Sequence, residues 1–433
     1  MKDYLSKNSI FLVYAFSLIS LSYLVKQQDF LALISFYLIA FTSYLVLGVY
    51  YPMSEKWINR SFWIKLFLLF AFPQASDDIF RFYWDGMVCV QGISPYQYLP
   101  SELVERNDIF IDQEVYQKLN SKSYYSVYPP ILQIVFGLCY FLSYKSVYLF
   151  SILWKLILLL ADYGSICLFK KISVSTKKWY WFAFNPLIMY EVFGNGHAEG
   201  LLLFLLVGVI WAIKQDSRYQ GLVFLSLASA IKIFPLVFFP LLLKNAGIKK
   251  IVILSSTAVL LLLLFFLPIY PYFDHFLESI KLYFRKFEFN GSLFEIWKWI
   301  DYRRFGYDNI AGISRFLSFG FLLMLMVFSL RYLRSNESNP AKTIFWIWVS
   351  YLLLSSTVHP WYVVPVFLIS LFISNLSGMV WSLLVILSYC WYDTELFKYK
   401  YIFMIIEYGI LIMMSILEML GKLDDIKVKV FEP

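Results

Sequence analysis

Two adjacent carboxylates, Asp77 and Asp78, open a stretch that reads Ser76-Asp77-Asp78-Ile79-Phe80-Arg81-Phe82-Tyr83-Trp84-Asp85-Gly86. If it is helical, positions 78, 81 and 85 fall at i, i+3 and i+7 and share one face. An Asp/Arg/Asp face can accept a proton and hold an anion. The same residues also suit a plain helix start, where Ser or Asp caps the N-terminus and acids complement the dipole. The pattern alone leaves both readings open. Asp77 is the better cap, and Asp78 is the one that shares a face with Arg81 and Asp85.

A second group follows Phe184-Asn185-Pro186 and comprises Glu191 and then Gly194-Asn195-Gly196-His197-Ala198-Glu199-Gly200. The glycines permit a tight turn. His197 and Glu199 are ionisable groups in a long apolar region, which makes them candidates for function. Two such ligands are too few to define a metal site. A third group lies in 269–309, with Lys281, Arg285, Lys286, Glu288, Asn290, Lys298, Arg303 and Arg304, followed by Arg315. Residues 273–287 suit an amphipathic interfacial helix. Most of these charges suit a surface-lying scaffold helix, and one or two of the cations are candidates for meeting a lipid phosphate. The fourth is His359-Pro360-Trp361-Tyr362, in which the aromatics suit an interfacial belt and His359 can line a site. No P-loop, dinucleotide fingerprint, G-x-S-x-G or H-E-x-x-H is present. Four cysteines without a C-x-x-C pair support neither a disulfide framework nor a zinc site.

The elements that must position these groups are membrane helices. The chain is 60% hydrophobic and 15% charged over 433 residues, far from the roughly 25% charge of soluble domains. The apolar residues come in blocks separated by Lys/Arg-marked ends. An all-α polytopic protein of about 13 transmembrane segments is expected. They lie near 9–25, 30–51, 62–74, 148–169, 179–193, 198–213, 219–243, 250–268, 310–331, 343–357, 361–374, 379–392 and 400–420. The first is expected to be an uncleaved helix rather than a signal peptide. Lys232 and Pro235 inside 219–243 predict a hairpin with both near its tip. The net charge of +8 resides largely in short loops, where it sets orientation rather than binding nucleic acid. Lys56, Arg60, Lys170, Lys171, Lys177, Lys178, Lys244, Lys249, Lys250, Arg331 and Arg334 are expected to be cytoplasmic. That puts both termini inside and the loops 75–147 and 269–309 outside. Residues 128–142 are too short to span and read as an outer juxtamembrane or re-entrant helix started by Pro129-Pro130.

In this order, these motifs resemble the GT-C superfamily of membrane glycosyltransferases. The resemblance rests on Asp77-Asp78-Ile-Phe-Arg-Phe-Tyr-Trp-Asp-Gly, Gly92-Ile-Ser-Pro-Tyr, Tyr128-Pro-Pro-Ile, Asn185-Pro, Gly194-Asn-Gly-His197-Ala-Glu199 and Lys232-Ile-Phe-Pro235. It is closest to bacterial polyprenol-phosphate-mannose-dependent mannosyltransferases and more distant from the first mannosyltransferase of GPI-anchor assembly. It covers roughly 60–245. It implies a catalytic module over 1–245 and a variable module over 246–433. The implied reaction passes a sugar, mannose by the closest likeness, from a polyprenyl-phosphate donor to a lipid-linked or glycan acceptor. The site would face the periplasm or exterior of a bacterial inner membrane. The acid that serves the acceptor hydroxyl falls on Asp77 or Asp78. An ordinary Asp, with a pKa of about 3.9, is ionised and ready to accept that proton.

A lipid phosphate leaving group needs cations or a metal, and Arg81, Lys232, Arg303, Arg304 and Arg315 are the local choices. Asp85, His197, Glu199 and His359 join them as candidates for holding the donor or acceptor. Some relatives carry Asp-x-Asp where this chain has adjacent acids. No cofactor is therefore fixed, and a divalent metal stays open. The rival readings are a secondary transporter or flippase, whose broken helices also carry buried charge, and a scaffold subunit, which has no need of Asp77-Asp78. Convergence of the polar residues on one outer face, and the long first outer loop, favour the enzyme.

Overall fold

The computed structural model describes residues 2–172, 175–307, 309–337 and 339–432, with the side chains of 2–5 and 283–286 outside the described set. Arg285 and Lys286 therefore fall outside the described side chains. The protein is 76% helical with no strand among the described residues, so its backbone polar groups are satisfied within segments, as a bilayer requires.

Among the described residues, six helices are long and apolar enough to cross a membrane: Ser6–Leu24, Phe30–Tyr50, Val147–Lys171, Ile248–Leu282, Ile310–Arg334 and Phe397–Met419. The fourth of these becomes 3-10 helix at Leu267–Tyr272 and continues as the amphipathic helix Phe273–Lys286. Two spans, Ile248–Leu282 and Ile310–Arg334, are only 11% buried over their most apolar windows, so their leucines and phenylalanines face lipid. The remaining expected segments are shorter helices packed against protein. Glu199–Lys214 and Pro360–Phe372 run through the buried centre.

Three local predictions meet particular structures. Arg218–Ser229 and the 3-10 helix Phe234–Leu243 form a hairpin with Lys232 in its turn. Pro235 at the second start removes a donor where none is needed. The segment expected at 128–142 is the 13-residue helix Pro130–Leu142, capped at Pro129. At 1.5 Å per residue it is ~20 Å long, short of a ~30 Å hydrocarbon core. The segment expected at 62–74 instead starts earlier, as Glu55–Leu68, so Lys56 and Arg60 are helical rather than loop residues.

The segment read as one span at 179–193 is also corrected. Thr176–Ala183 stops before Asn185-Pro186, whose Asn185 Oδ1 accepts from the Leu187 and Ile188 amides and caps a new start. That start widens into a π-helix over Met189–Gly194, a distortion frequently found at functional sites.

Buried charges brace this frame. Lys65 and Asp162 pair at 2.6 Å. Lys155 Nζ donates to Leu68 O at 2.9 Å and to Ala71 O, satisfying the carbonyls that end Glu55–Leu68. It also reaches Gly194 O at 3.4 Å. One lysine thus ties the chain entering Asp77-Asp78 to the chain entering His197. The opposite end of Val147–Lys171 carries Lys170, which pairs with Glu55 at 3.0 Å.

Candidate active site

Asp78 is the first residue of the helix Asp78–Val90, and Asp77 occupies its N-cap position. Asp77 makes no side-chain cap bond, so the capping explanation for this residue fails. The Asp78 amide instead donates to Ser76 Oγ at 3.3 Å, and both carboxylates are left to face the space beyond the helix. The helix is held down by the neighbouring Pro130–Leu142. Phe82 stacks on Phe136 with centroids 4.6 Å apart. A Cβ on Gly86 would sit 2.4 Å from Phe136 O, so only glycine permits the approach.

Arg81 and Asp85 are buried, with Nε to Oδ1 at 2.8 Å. Arg81 Nη1 donates to Ser121 O, Ser121 Oγ and Tyr124 O at 3.1, 3.1 and 3.0 Å. Asp85 Oδ2 accepts from Ser126 Oγ at 2.5 Å and from Gln133 Nε2 at 3.0 Å. This pair fastens residues 121–126 above the helix, and neither of its members lines the cavity described below.

The second wall is the turn after the π-helix. Gly196 has φ +78°, in the left-handed region that glycine tolerates, and its carbonyl accepts from Trp154 Nε1 at 2.6 Å. His197 follows. Its Nδ1 lies 3.0 Å from Glu191 O and 3.1 Å from Glu191 Oε2. The other nitrogen, Nε2, is buried, has no hydrogen-bond partner, and lies 4.0 Å from Asp78 Oδ2. Glu191 also accepts from Tyr389 Oη at 2.9 Å and from Asn195 Nδ2 at 3.4 Å. Asn195 Oδ1 in turn accepts from the Ala75 amide at 3.3 Å, joining this turn to the approach of Asp77-Asp78.

The third wall brings Lys232 to Glu199 at 2.7 Å and sets its Nζ 3.8 Å over the Tyr362 ring. His197 stacks on Trp361 at 3.8 Å, Trp361 on His359 at 4.3 Å, and His359 on Phe289 at 4.4 Å. Phe289 arrives from the 269–309 segment, where its amide donates to Ser356 O at 3.0 Å and its carbonyl accepts from the Val358 amide at 2.7 Å.

These walls enclose a cavity of about 660 Å³, large enough for a sugar and a phosphate. Burial pushes the Asp78 carboxyl above its ordinary range, assisted by Glu199 and Asp77 and opposed by His197 and Lys232. Asp77 is raised by burial as well. Burial opposes a charge on His197, but the Glu191 hydrogen bond and the surrounding carboxylates outweigh it and raise that imidazole. His359 goes the other way, pushed down to about 3 by burial and by the charges of His197 and Lys232.

Of the residues singled out in the sequence, Asp77, Asp78, His197, Glu199, Lys232 and His359 line this cavity together. Arg81 and Asp85 stand behind it. Arg303 and Arg304 are in the last turn of Ser292–Phe305, where cations suit a helix C-terminus, and both are exposed. Arg315 is exposed and bonds Ala311 O of its own helix. None of these three lines the cavity, and among the described lining residues no arginine appears. Glu191 and Tyr389 are site residues whose roles sequence reasoning alone misses. Glu191 was visible as an acid in an apolar run, which was its only signal. Glu288, noted there only as one of many charges, also lines the cavity and pairs with Lys298 at 2.5 Å.

Among the described residues no three His, Cys, Asp or Glu side chains converge as metal ligands would. His197 and Glu199 are turned toward Glu191 and Lys232 respectively. No curated protein and no solved structure matches the chain. A family model does match over residues 31–246, that of the alpha-(1->6)-mannopyranosyltransferase N-terminal domain. The match takes in Asp77-Asp78, the Glu191–Glu199 turn and Lys232, and it makes residues 31–246 of this membrane protein a member of that mannosyltransferase family.

Proposed function

We propose that the protein transfers mannose from a polyprenyl-phosphate donor to a hydroxyl of a lipid-linked or glycan acceptor, on the extracytoplasmic face of a bacterial inner membrane. The family's description supports an α-(1→6) linkage. One observation carries the reading. Asp78 presents a carboxylate with 30% side-chain exposure to the cavity, and no protein group among the described residues donates to it. It is a proton acceptor kept available, with burial raising its basicity.

The step balances without a covalent enzyme intermediate. Asp78 takes the acceptor hydroxyl proton as the oxygen forms its bond to C1 of the sugar. The C1–O bond to phosphate breaks, and its electron pair leaves with the polyprenyl phosphate. C1 inverts in this single displacement. Lys232 is the cation placed to offset charge on the leaving phosphate. The adjoining Ile231, Ile233 and Phe234 offer an apolar surface to the first isoprene units.

The experiment uses purified protein with radiolabelled polyprenyl-phosphate mannose and a mannoside acceptor. Asp78→Asn should lower turnover by about 10²–10⁴-fold, the usual worth of a general base, with no change in folded yield. Asp77→Asn should keep most of the activity. Full turnover by Asp78→Asn would refute the assignment of the base.

A further inference from the structure

We propose that Glu191 is a positioning residue that fixes the proton on His197 Nδ1, so that Nε2 faces Asp78 across a gap in which the acceptor hydroxyl sits. This inference rests on the reading of Asp78 as the base.

The geometry dictates the tautomer. Both groups within hydrogen-bond distance of Nδ1 are the backbone carbonyl and the carboxylate of Glu191, at 3.0 and 3.1 Å. The Glu191 carbonyl oxygen can only accept, so the bond to it at 3.0 Å requires the hydrogen on Nδ1. Glu191 is itself held fast. It is fully buried, and Tyr389 and Asn195 donate to its oxygens. Trp361, stacked 3.8 Å from the imidazole, prevents the ring from turning away. Nε2 is then left buried and without a partner, 4.0 Å from Asp78 Oδ2. A buried polar nitrogen without a partner is costly, and an oxygen placed between these two atoms can lie at hydrogen-bond distance from both.

The oxygen that fits is the acceptor hydroxyl. Its hydrogen points to Asp78, and once His197, already holding its first proton on Nδ1, takes up a second at Nε2, one lone pair accepts from that N–H. The other lone pair is free to attack. The imidazolium form also keeps Asp78 ionised until attack, and Glu191 sustains that form. The charged groups facing His197 are Glu191 from its own turn, Asp78 from the Asp78–Val90 helix, Glu199 beyond the turn, Lys232 from the hairpin tip, and His359 through Trp361. Glu191 is the one that bonds the ring directly.

The test has a readout that does not depend on turnover. The chain has three histidines, so the imidazoles of labelled protein in micelles can be assigned by His275→Gln and His359→Gln. Nitrogen shifts of His197 above its transition should report hydrogen on Nδ1. Glu191→Gln should lower the His197 proton affinity about tenfold or more, one pKa unit being tenfold. Glu191→Asp, which keeps the charge, should retain most of that affinity. In turnover, the alkaline limb of kcat/KM should move to lower pH in Glu191→Gln and stay near its parental position in Glu191→Asp.

An Nε2–H tautomer in the parent protein overturns the proposal even if Glu191→Gln does not fold. So does an unmoved His197 titration in Glu191→Gln. Activity surviving in Asp78→Asn would instead sink the reading of the base, while leaving the tautomer measurement intact.

Discussion

Asp85→Asn should unfold the protein more readily without removing any group that lines the cavity. Asp85 is fully buried and its carboxylate is the charge partner of Arg81, at 2.8 Å. The substitution leaves the guanidinium buried with three neutral acceptors, Ser121 O, Ser121 Oγ and Tyr124 O. Breaking one side of a buried pair costs about 3–5 kcal/mol. That is roughly a hundredfold to several thousandfold in the folding equilibrium, at 1.4 kcal/mol per tenfold. The surviving neutral acceptors place the result toward the lower end. Arg81→Met/Asp85→Leu removes both charges and should recover most of the loss, because an apolar replacement of a whole pair is often neutral. Denaturation in mixed micelles, followed by tryptophan fluorescence, measures all three proteins. Turnover should fall in Asp85→Asn through loosening of 120–124, which supplies Asn120, Ser121 and Tyr124 to the cavity. A single variant as stable as the parent, or a double variant less stable than the single, would refute the reasoning. It would return Arg81 to the phosphate-binding role that its spacing first suggested.

Two further outcomes follow from the cavity walls. His359 is held neutral, with its pKa down at about 3 against an ordinary 6.5. The unfolded chain therefore binds a proton below pH 6.5 that the folded chain refuses, and stability is lost as pH falls through that window. His359→Phe keeps an aromatic between Phe289 and Trp361. Between pH 7 and 5.5 the parent should lose about 1.3 kcal/mol more than this variant, and equal losses would show that His359 does not titrate this way. Lys232→Met should raise the KM for the donor at least tenfold while leaving the acceptor KM within about twofold, since one charge-assisted contact is worth about 1.5–3 kcal/mol. A matched rise in both constants would mean that Lys232 acts only by pinning Glu199.

Much of the fold was legible because apolar blocks and proline breaks act locally. The Lys232/Pro235 hairpin and the short helix Pro130–Leu142 follow from a few residues each. The number of spans was not legible, because an apolar run reads alike whether lipid or protein covers it. Glu199–Lys214 and Pro360–Phe372 are as apolar as the six long helices, yet protein rather than lipid covers most of their surface. Helical spacing also misled at Arg81 and Asp85. It correctly put 78, 81 and 85 on one helix, but a periodicity says nothing about depth. Asp85 lies seven residues, ~10 Å, below Asp78, under the 121–126 segment, while Asp78 is at the open tip.

The arrangement of charge explains why the cavity can bring together two partners that would otherwise repel. On the proposed reading, an anionic donor and an ionised base share about 660 Å³. Asp77, Asp78, Glu199 and Glu288 all face that space. Two of them are already matched, Glu199 by Lys232 and Glu288 by Lys298. The unmatched negative charge is thereby confined to Asp77-Asp78, beside His197. On the reading proposed here, phosphate belongs at the Lys232 end, next to Ile231, Ile233 and Phe234, and the acceptor belongs at the Asp78 end. The sugar then lies between them, with C1 presented to the attacking oxygen on the side away from phosphate. Lys232 can serve that phosphate only by sharing it with Glu199, which weakens its hold on the product. Such sharing suits an enzyme that must let a lipid phosphate go after each transfer.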